Sequence, residues 1–131
     1  MTVNRLFLVL MLAFGIQGAA YANQAIFTAH ISDDGTILNQ SPQWITQVER
    51  RVQTDYLTEY TISLKKKVTQ GDPGYCAMSP IDNSQYERVI YGQGKVIGKP
   101  RADKVIVATQ LVDVNGPSGD NSLAFQLLCV R

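Results

Sequence analysis

The chain has 131 residues, with 12 Lys and Arg against 11 Asp and Glu, and a formal net charge of +1. This near-neutral balance lacks the basic excess that would draw a whole chain to nucleic acid or an anionic membrane. The length supports one domain with a single hydrophobic core and excludes a protein with two cores.

The first 22 residues have the pattern of a secretory signal peptide. Arg5 supplies a positive charge, residues 6–16 are an unbroken apolar run, and Ala20-Tyr21-Ala22 is a small-x-small cleavage site. The apolar run has about half the length that a bilayer-spanning helix needs, so a retained membrane anchor is the weaker alternative. We therefore expect residues 1–22 to be removed. Residues 23–131 are then one domain that is secreted, periplasmic or at the cell surface, with no stable membrane insertion after cleavage.

The first half of this domain alternates strand-like runs with turn signals. The runs that favour strands are 25–31, 36–38, 44–51 and 60–65, and turn residues follow the first two at 32–35 and 39–42. Tyr60, Ile62 and Leu64 alternate with polar residues at the period of two that is typical of a half-buried strand. The alternative for residues 43–57 is a helix, because Trp44, Val48 and Val52 fall near helical spacing.

The second half continues the strand pattern after Gln70-Gly71-Asp72-Pro73-Gly74, the strongest turn signal in the chain. Strands are predicted at 75–78, 86–91, 95–97, 104–112 and 122–130, with turns or loops at 79–85, 92–94, 98–100 and 115–121. Seven to nine short strands at this spacing are typical of a single antiparallel β-sandwich or jelly roll. We expect Trp44, Tyr60 and Tyr75 in the core.

Cys76 and Cys129 are the two cysteines of the chain. In an oxidising compartment an even pair predicts a disulfide. This bridge would close a loop of just over fifty residues, worth about 4 kcal/mol in the chain-entropy model. The spacing does not fit a thioredoxin-type or zinc motif.

Candidates for chemistry are few. His30 is the single histidine and lies in an apolar strand-like run, where a structural role competes with catalysis. Asp33-Asp34 precedes Gly35 and favours a turn over a pair of catalytic carboxylates. Lys65-Lys66-Lys67 is the densest charge run, and we expect it to blunt a strand end rather than bind phosphate. We predict no catalytic residues, no metal site and no cofactor.

Six residues are candidates for ligand binding from loops. Tyr86 and Tyr91 flank a predicted loop and combine an apolar ring with a polar tip, as recognition surfaces favour. Oxygen ligands of the kind that calcium accepts cluster near a Gly-rich segment, although their spacing is not that of an EF-hand and a solvated loop is the alternative. These are Asp113, Asn115, Asp120 and Asn121.

Several phrases of the sequence together suggest a family. They are Ala29-His30-Ile31, Asp34-Gly35-Thr36, Trp44-Ile45, Tyr60-Thr61-Ile62, Tyr75-Cys76 and the final Phe125 to Arg131. In order and spacing the chain resembles small bacterial and phage domains at the tips of tail fibres and adhesins. Those domains are similar in build to the jelly rolls of complement globular heads and tumour necrosis factor. The resemblance implies a compact jelly roll, often trimeric, with exposed binding loops and no catalytic residue.

Three functions follow as hypotheses. The first is a secreted or periplasmic module for binding or adhesion that recognises a glycan or protein through loops 70–74, 79–85 and 113–121. The second is a structural subunit of an envelope or surface assembly, since both faces of residues 122–130 carry apolar side chains that a subunit interface or an overlying loop would cover. The third is a small hydrolase that uses His30 or a carboxylate pair such as Asp33 and Asp34.

Overall fold

The computed structural model describes residues 24–81, 92–113, 116–117 and 119–131. In this part of the chain nine strands and one short helix follow in order. They are β1 (Ile26–Ile31), β2 (Ile37–Ser41), β3 (Ile45–Gln53), β4 (Leu57–Leu64), α1 (Lys66–Thr69), β5 (Tyr75–Pro80), β6 (Gly92–Ile97), β7 (Lys104–Asp113), β8 (Gly116–Pro117) and β9 (Phe125–Val130).

The strands form two antiparallel sheets that pack as a sandwich. Sheet A has the order β2-β1-β9-β5, and sheet B has the order β3-β4-β7-β6 with β8 paired to β7. The predicted all-β sandwich is confirmed, while the finer jelly-roll topology stays a prediction. Consecutive strands β2 and β3 lie in different sheets, and so do β4 and β5. The chain thus crosses repeatedly between the layers and ties them together.

The core lies between the sheets and follows the strand alternation. Phe27 and Ile31 on β1, Tyr60 and Ile62 on β4, and the β9 residues Phe125 and Leu127 all point inward and are buried. Two aromatic pairs join the layers: the rings of Phe27 and Trp44 lie 5.3 Å apart, and those of Tyr60 and Phe125 lie 5.0 Å apart. Each large side chain buried here contributes about 1.5–3 kcal/mol relative to exposure.

The predicted disulfide is confirmed. Cys76 on β5 and Cys129 on β9 are bonded, at a sequence separation of 53. They are direct partners in the antiparallel ladder, so the bridge fastens the edge strand β5 to the centre of sheet A.

Several local predictions are corrected. The strand predicted at 44–51 is confirmed, and the helical alternative for residues 43–57 is excluded because β3 pairs with β4 along its length. Strand β2 continues through the predicted break at 39–41, and the Gln40 side chain accepts hydrogen bonds from the backbone N–H groups of Trp44 (2.9 Å) and Ile45 (2.8 Å) at the crossover. Strand β5 extends through Ser79 and Pro80, which an edge strand tolerates.

Two further corrections concern glycine and lysine segments. Gly92-Gln93-Gly94 is not a turn but the first half of β6. A Cβ at Gly94 would lie 2.6 Å from Met78 Sδ and 3.1 Å from the Ala108 carbonyl oxygen, so the missing side chain lets the edges of the two sheets approach. After Lys65 the chain forms one helical turn, α1, which ends at Gln70 in the left-handed conformation (φ 52°).

Candidate functional site

The outer face of sheet A carries two rows of uncharged side chains that run across its four strands. The first row, in register from β2 to β5, is Asn39, His30, Gln126 and Ser79. The second row is Ser41, Thr28, Leu128 and Ala77. Their inward neighbours on the same strands form the core, so the alternation of each strand places these side chains on the opposite face.

These two rows line a groove with a volume of about 490 Å³. Among the described residues, no Asp, Glu, Lys or Arg lines it. Its walls offer amides, hydroxyls and one imidazole, with Leu128 as an apolar side chain that stays 39 % exposed. Most of the exposed lining is nevertheless apolar. The groove therefore suits an uncharged ligand that combines apolar surface with hydrogen-bonding groups.

His30 lies in the middle of this groove, between Asn39 and Gln126. Its Nε2 atom is shielded from solvent and has no hydrogen-bond partner in the described part of the chain. A buried polar atom without a partner costs about 1–3 kcal/mol, so native structures rarely leave one unpaired. A ligand in the groove can reach this nitrogen only if the imidazole turns outward.

Among the described residues no Ser hydroxyl pairs with His30 Nε2, the atom through which a histidine base activates a serine nucleophile in the Ser-His-Asp arrangement. Asp34 is tied within its own turn: its carboxylate accepts hydrogen bonds from Ser32 and from the Thr36 backbone N–H. These bonds lower the pKa of Asp34 to about 2. The Asp34 carboxylate is therefore engaged in hydrogen bonds within the β1–β2 turn.

The predicted ligand cluster near residue 120 is largely engaged in the fold. Asn121 is fully buried: its Oδ1 accepts from the Leu111 N–H (2.8 Å) and its Nδ2 donates to the Gly119 carbonyl (3.0 Å). Asp120 is exposed, but its carboxylate accepts from the Ser122 N–H (2.8 Å) and lies 3.6 Å from Arg50. Hydrogen bonds from Ser122 and the Arg50 charge hold the pKa of Asp120 below its usual value.

The other predicted site residues are placed as follows. Tyr86, Tyr91 and Asn115 lie outside the described residues, and only the backbone of Asp113 is described, paired with Gly116. Across the described ranges, no group of three His, Cys, Asp or Glu side chains is arranged to hold a metal ion.

Of the three aromatic residues predicted in the core, two are buried and one is exposed. Trp44 and Tyr60 are fully buried, which confirms two of the three predictions. The prediction for Tyr75 is wrong: it is 61 % exposed. In the strand register Tyr75 lies on the opposite face from Cys76, whose partner Cys129 is fully buried, and this register places the Tyr75 ring on the outer face of sheet A.

Sequence reasoning missed the groove because its residues are ordinary in sequence. Thr28, Gln126 and Ser79 come from three strands that are far apart along the chain. The available signals were Thr28, His30 and Gln126, polar side chains that alternate with apolar positions of β1 and β9, but they could not be placed together before the sheet was assembled. Loops were favoured as the binding surface, whereas the groove lies on a sheet face.

Comparison with protein families, curated proteins and solved structures finds no match to this chain. Within the described residues no helix is both long and apolar enough to cross a membrane.

Proposed function

We propose that this chain is an exported, non-enzymatic binding module whose groove on sheet A holds a neutral glycan. The observation that carries the proposal is a groove without charged side chains among its described lining residues, in which hydrogen-bonding groups lie beside apolar surface and His30 lies in the middle. Sugar hydroxyls both donate and accept hydrogen bonds. They match the mixture of amide, hydroxyl and imidazole groups on the groove walls.

Export is the second part of the proposal. The charge, apolar run and small-residue site in residues 1–22 support it. The Cys76–Cys129 disulfide is compatible with an oxidising extracellular compartment. The periplasm, the cell surface and the medium all meet these conditions.

The glycan proposal is tested with residues 23–131 on an array of neutral and acidic oligosaccharides, followed by titration calorimetry of each binder. We expect neutral glycans to bind and acidic ones to bind less well, because none of the described residues that line the groove is a Lys or Arg. His30→Ala and Gln126→Ala should each weaken binding about 3- to 10-fold, the value of one hydrogen bond.

Gln47→Ala is the matched control, since Gln47 is an exposed glutamine on β3 of the other sheet. Its affinity should equal that of the parent chain. Absence of any glycan binding at high micromolar concentration would count against the proposal. So would equal losses from Gln47→Ala and Gln126→Ala.

A structural subunit of an envelope assembly, such as a homotrimer, is the second candidate. The observation that favours it is the outward face of β9, where Leu128 is exposed and Val130 half-buried. Light scattering of residues 23–131 would give three times the monomer mass for a trimer. A stable monomer that copurifies with no partner would remove this candidate.

A further inference from the structure

The near-zero net charge conceals a strong separation of charge between the two ends of the sandwich. Seven of the 12 cations lie at one end, which we call the basic end: Lys65, Lys66, Lys67, Lys99, Arg101, Lys104 and Arg131. Four acids occupy the turns and loops at the opposite end, Asp33, Asp34, Asp55 and Asp120, and β7 ends there at Asp113. Antiparallel connectivity produces this separation, because alternate connections emerge at the same end.

The basic end is one continuous surface. Two connections meet at this end, the one between β4 and β5 and the one between β6 and β7. They are joined by hydrogen bonds in which Asp72 accepts from the Ala102 N–H (2.7 Å) and Thr69 donates to the Ala102 carbonyl (2.9 Å). Arg131 joins the same surface by donating to the Gln70 carbonyl (3.1 Å). A depression of about 570 Å³ lies here, with Lys66, Lys99 and Arg101 among the side chains around it.

The charge of the basic end is poorly neutralised. Asp72 and Asp103 are the acids at this end among the described residues, against seven cations. Within the described ranges the one ion pair closer than 4.0 Å joins Arg50 and Asp120, at the other end of the molecule. Six of the seven cations are exposed, and Lys65 is half-buried. The surface thus presents exposed positive charges that a partner could contact.

An apolar row borders this surface. Ile26, Val130 and Tyr75 are in register across β1, β9 and β5, at the strand ends nearest the basic end. Ile26 is 57 % exposed and Tyr75 is 61 % exposed. Tyrosine beside lysine and arginine is the composition found where proteins meet the headgroup region of a bilayer.

The chain also enters the sandwich at this end. Ala25 and Arg131 exchange two backbone hydrogen bonds there, so the segment before residue 24 is joined to the basic end. That segment contains the apolar run 6–16 of the predicted signal peptide, so this end of the domain would face the membrane until the predicted cleavage. We infer that the basic end of this domain binds the surface of an anionic lipid bilayer.

This inference is independent of the groove on sheet A and of the ligand proposed for it. Each Lys or Arg near an anionic membrane surface strengthens binding about fivefold. Reversing two of these charges should therefore weaken binding by about 25-fold or more. The contribution of Tyr75 should persist when salt screens the charges.

The test uses residues 23–131, the part of the chain that remains after the predicted cleavage and that contains all the core residues described above. Binding is measured by cosedimentation with vesicles of phosphatidylcholine containing about 30 % phosphatidylglycerol, and with phosphatidylcholine alone. We expect binding to the anionic vesicles only, and its loss on raising NaCl from about 0.02 M to about 0.5 M.

Two double variants distinguish an effect of the basic end from an effect of the net charge of the whole chain. Lys66→Glu with Lys99→Glu should abolish most of the binding. Arg51→Glu with Lys95→Glu makes the same change of charge on exposed residues of sheet B and should leave binding close to that of the parent chain. Tyr75→Ser should lower the fraction bound at intermediate salt.

Three results would overturn the inference. One is equal binding to neutral and anionic vesicles, and another is an equal loss in both double variants. The third is failure to bind vesicles together with self-association at low salt. That outcome would mean that the basic end binds the opposite end of a second copy of the chain, where the acids lie, and not a membrane.

Discussion

Asn121 holds the last loop of the sandwich against β7, and its replacement gives a sharp test of that role. The residue is fully buried, and Thr109 donates to its carbonyl oxygen at 2.7 Å. In Asn121→Ala the Leu111 N–H loses its acceptor, which costs about 1–3 kcal/mol. The lost bond to Gly119 adds about 1 kcal/mol. We expect unfolding to become easier by about 2–4 kcal/mol.

The assay is urea denaturation of residues 23–131 at neutral pH, with tryptophan fluorescence of the buried Trp44 as the signal. At a typical slope for a domain of this size the midpoint should fall by about 1.5–3 M without a change of slope. Asp120→Ala is the neighbouring control, and its exposed ion pair with Arg50 is worth less than about 1 kcal/mol.

Two results would refute this reasoning about Asn121. A midpoint for Asn121→Ala no lower than that of Asp120→Ala would mean that the buried amide does not hold the loop. A rise of the parent midpoint with added Ca²⁺, lost in Asn121→Ala, would instead support the calcium-ligand hypothesis for this loop.

Three further outcomes are expected. Replacing Cys76 and Cys129 together by Ala should cost about 4 kcal/mol and lower Tm by roughly 15 °C, and a calorimetric shift below a few degrees would contradict the entropic argument. Trp44→Phe should cost about 2–4 kcal/mol, since it loses the indole bond to the Thr28 carbonyl (2.9 Å) and leaves a cavity; urea unfolding followed by circular dichroism measures it. The pKa of Asp34 is lowered to about 2, so its ionised form stabilises the fold above the unfolded pKa near 3.9 and this contribution disappears as pH falls toward 2. Asp34→Asn should thus be less stable than the parent at neutral pH, with the difference closing between about pH 4 and pH 2 in acid titrations.

The parts of the fold that local sequence determines were predictable. Tyr60, Ile62 and Leu64 alternate so regularly that their buried face follows from the chain alone, and the structure confirms it. The disulfide followed from the count of cysteines. Its direct cross-strand placement needed the register of β5 and β9, which no local pattern contains.

The predictions that were wrong depended on neighbours distant in sequence. Tyr75 was expected inside because it is aromatic, but the register of β5 turns it outward. Gly92-Gln93-Gly94 was expected to turn, yet pairing with β7 holds it extended, with Met78 against Gly94. For residues 43–57, by contrast, the preferred strand is confirmed, and pairing with β4 excludes the helical alternative.

The candidate site was the least predictable feature. The polar residues of the groove are of types that are common at exposed strand positions. Only the assembled sheet brings His30 beside Gln126. The basic end was equally hidden, because a chain-wide charge sum cannot reveal which turns meet at one end. Lys65-Lys66-Lys67 becomes part of a larger basic surface only because the fold places it at the same end as Lys99 and Arg101.

The two backbone hydrogen bonds between Ala25 and Arg131 (3.3 and 2.9 Å) have a practical consequence. A short linker from residue 131 to residue 25 would span a gap that the fold already closes. New termini then fit in the exposed β3–β4 turn at residues 54–56. Such a circular permutant would keep both sheets and carry fusion partners at the acidic end. A permuted chain attached there to a solid support would present the opposite end of the sandwich to the solution.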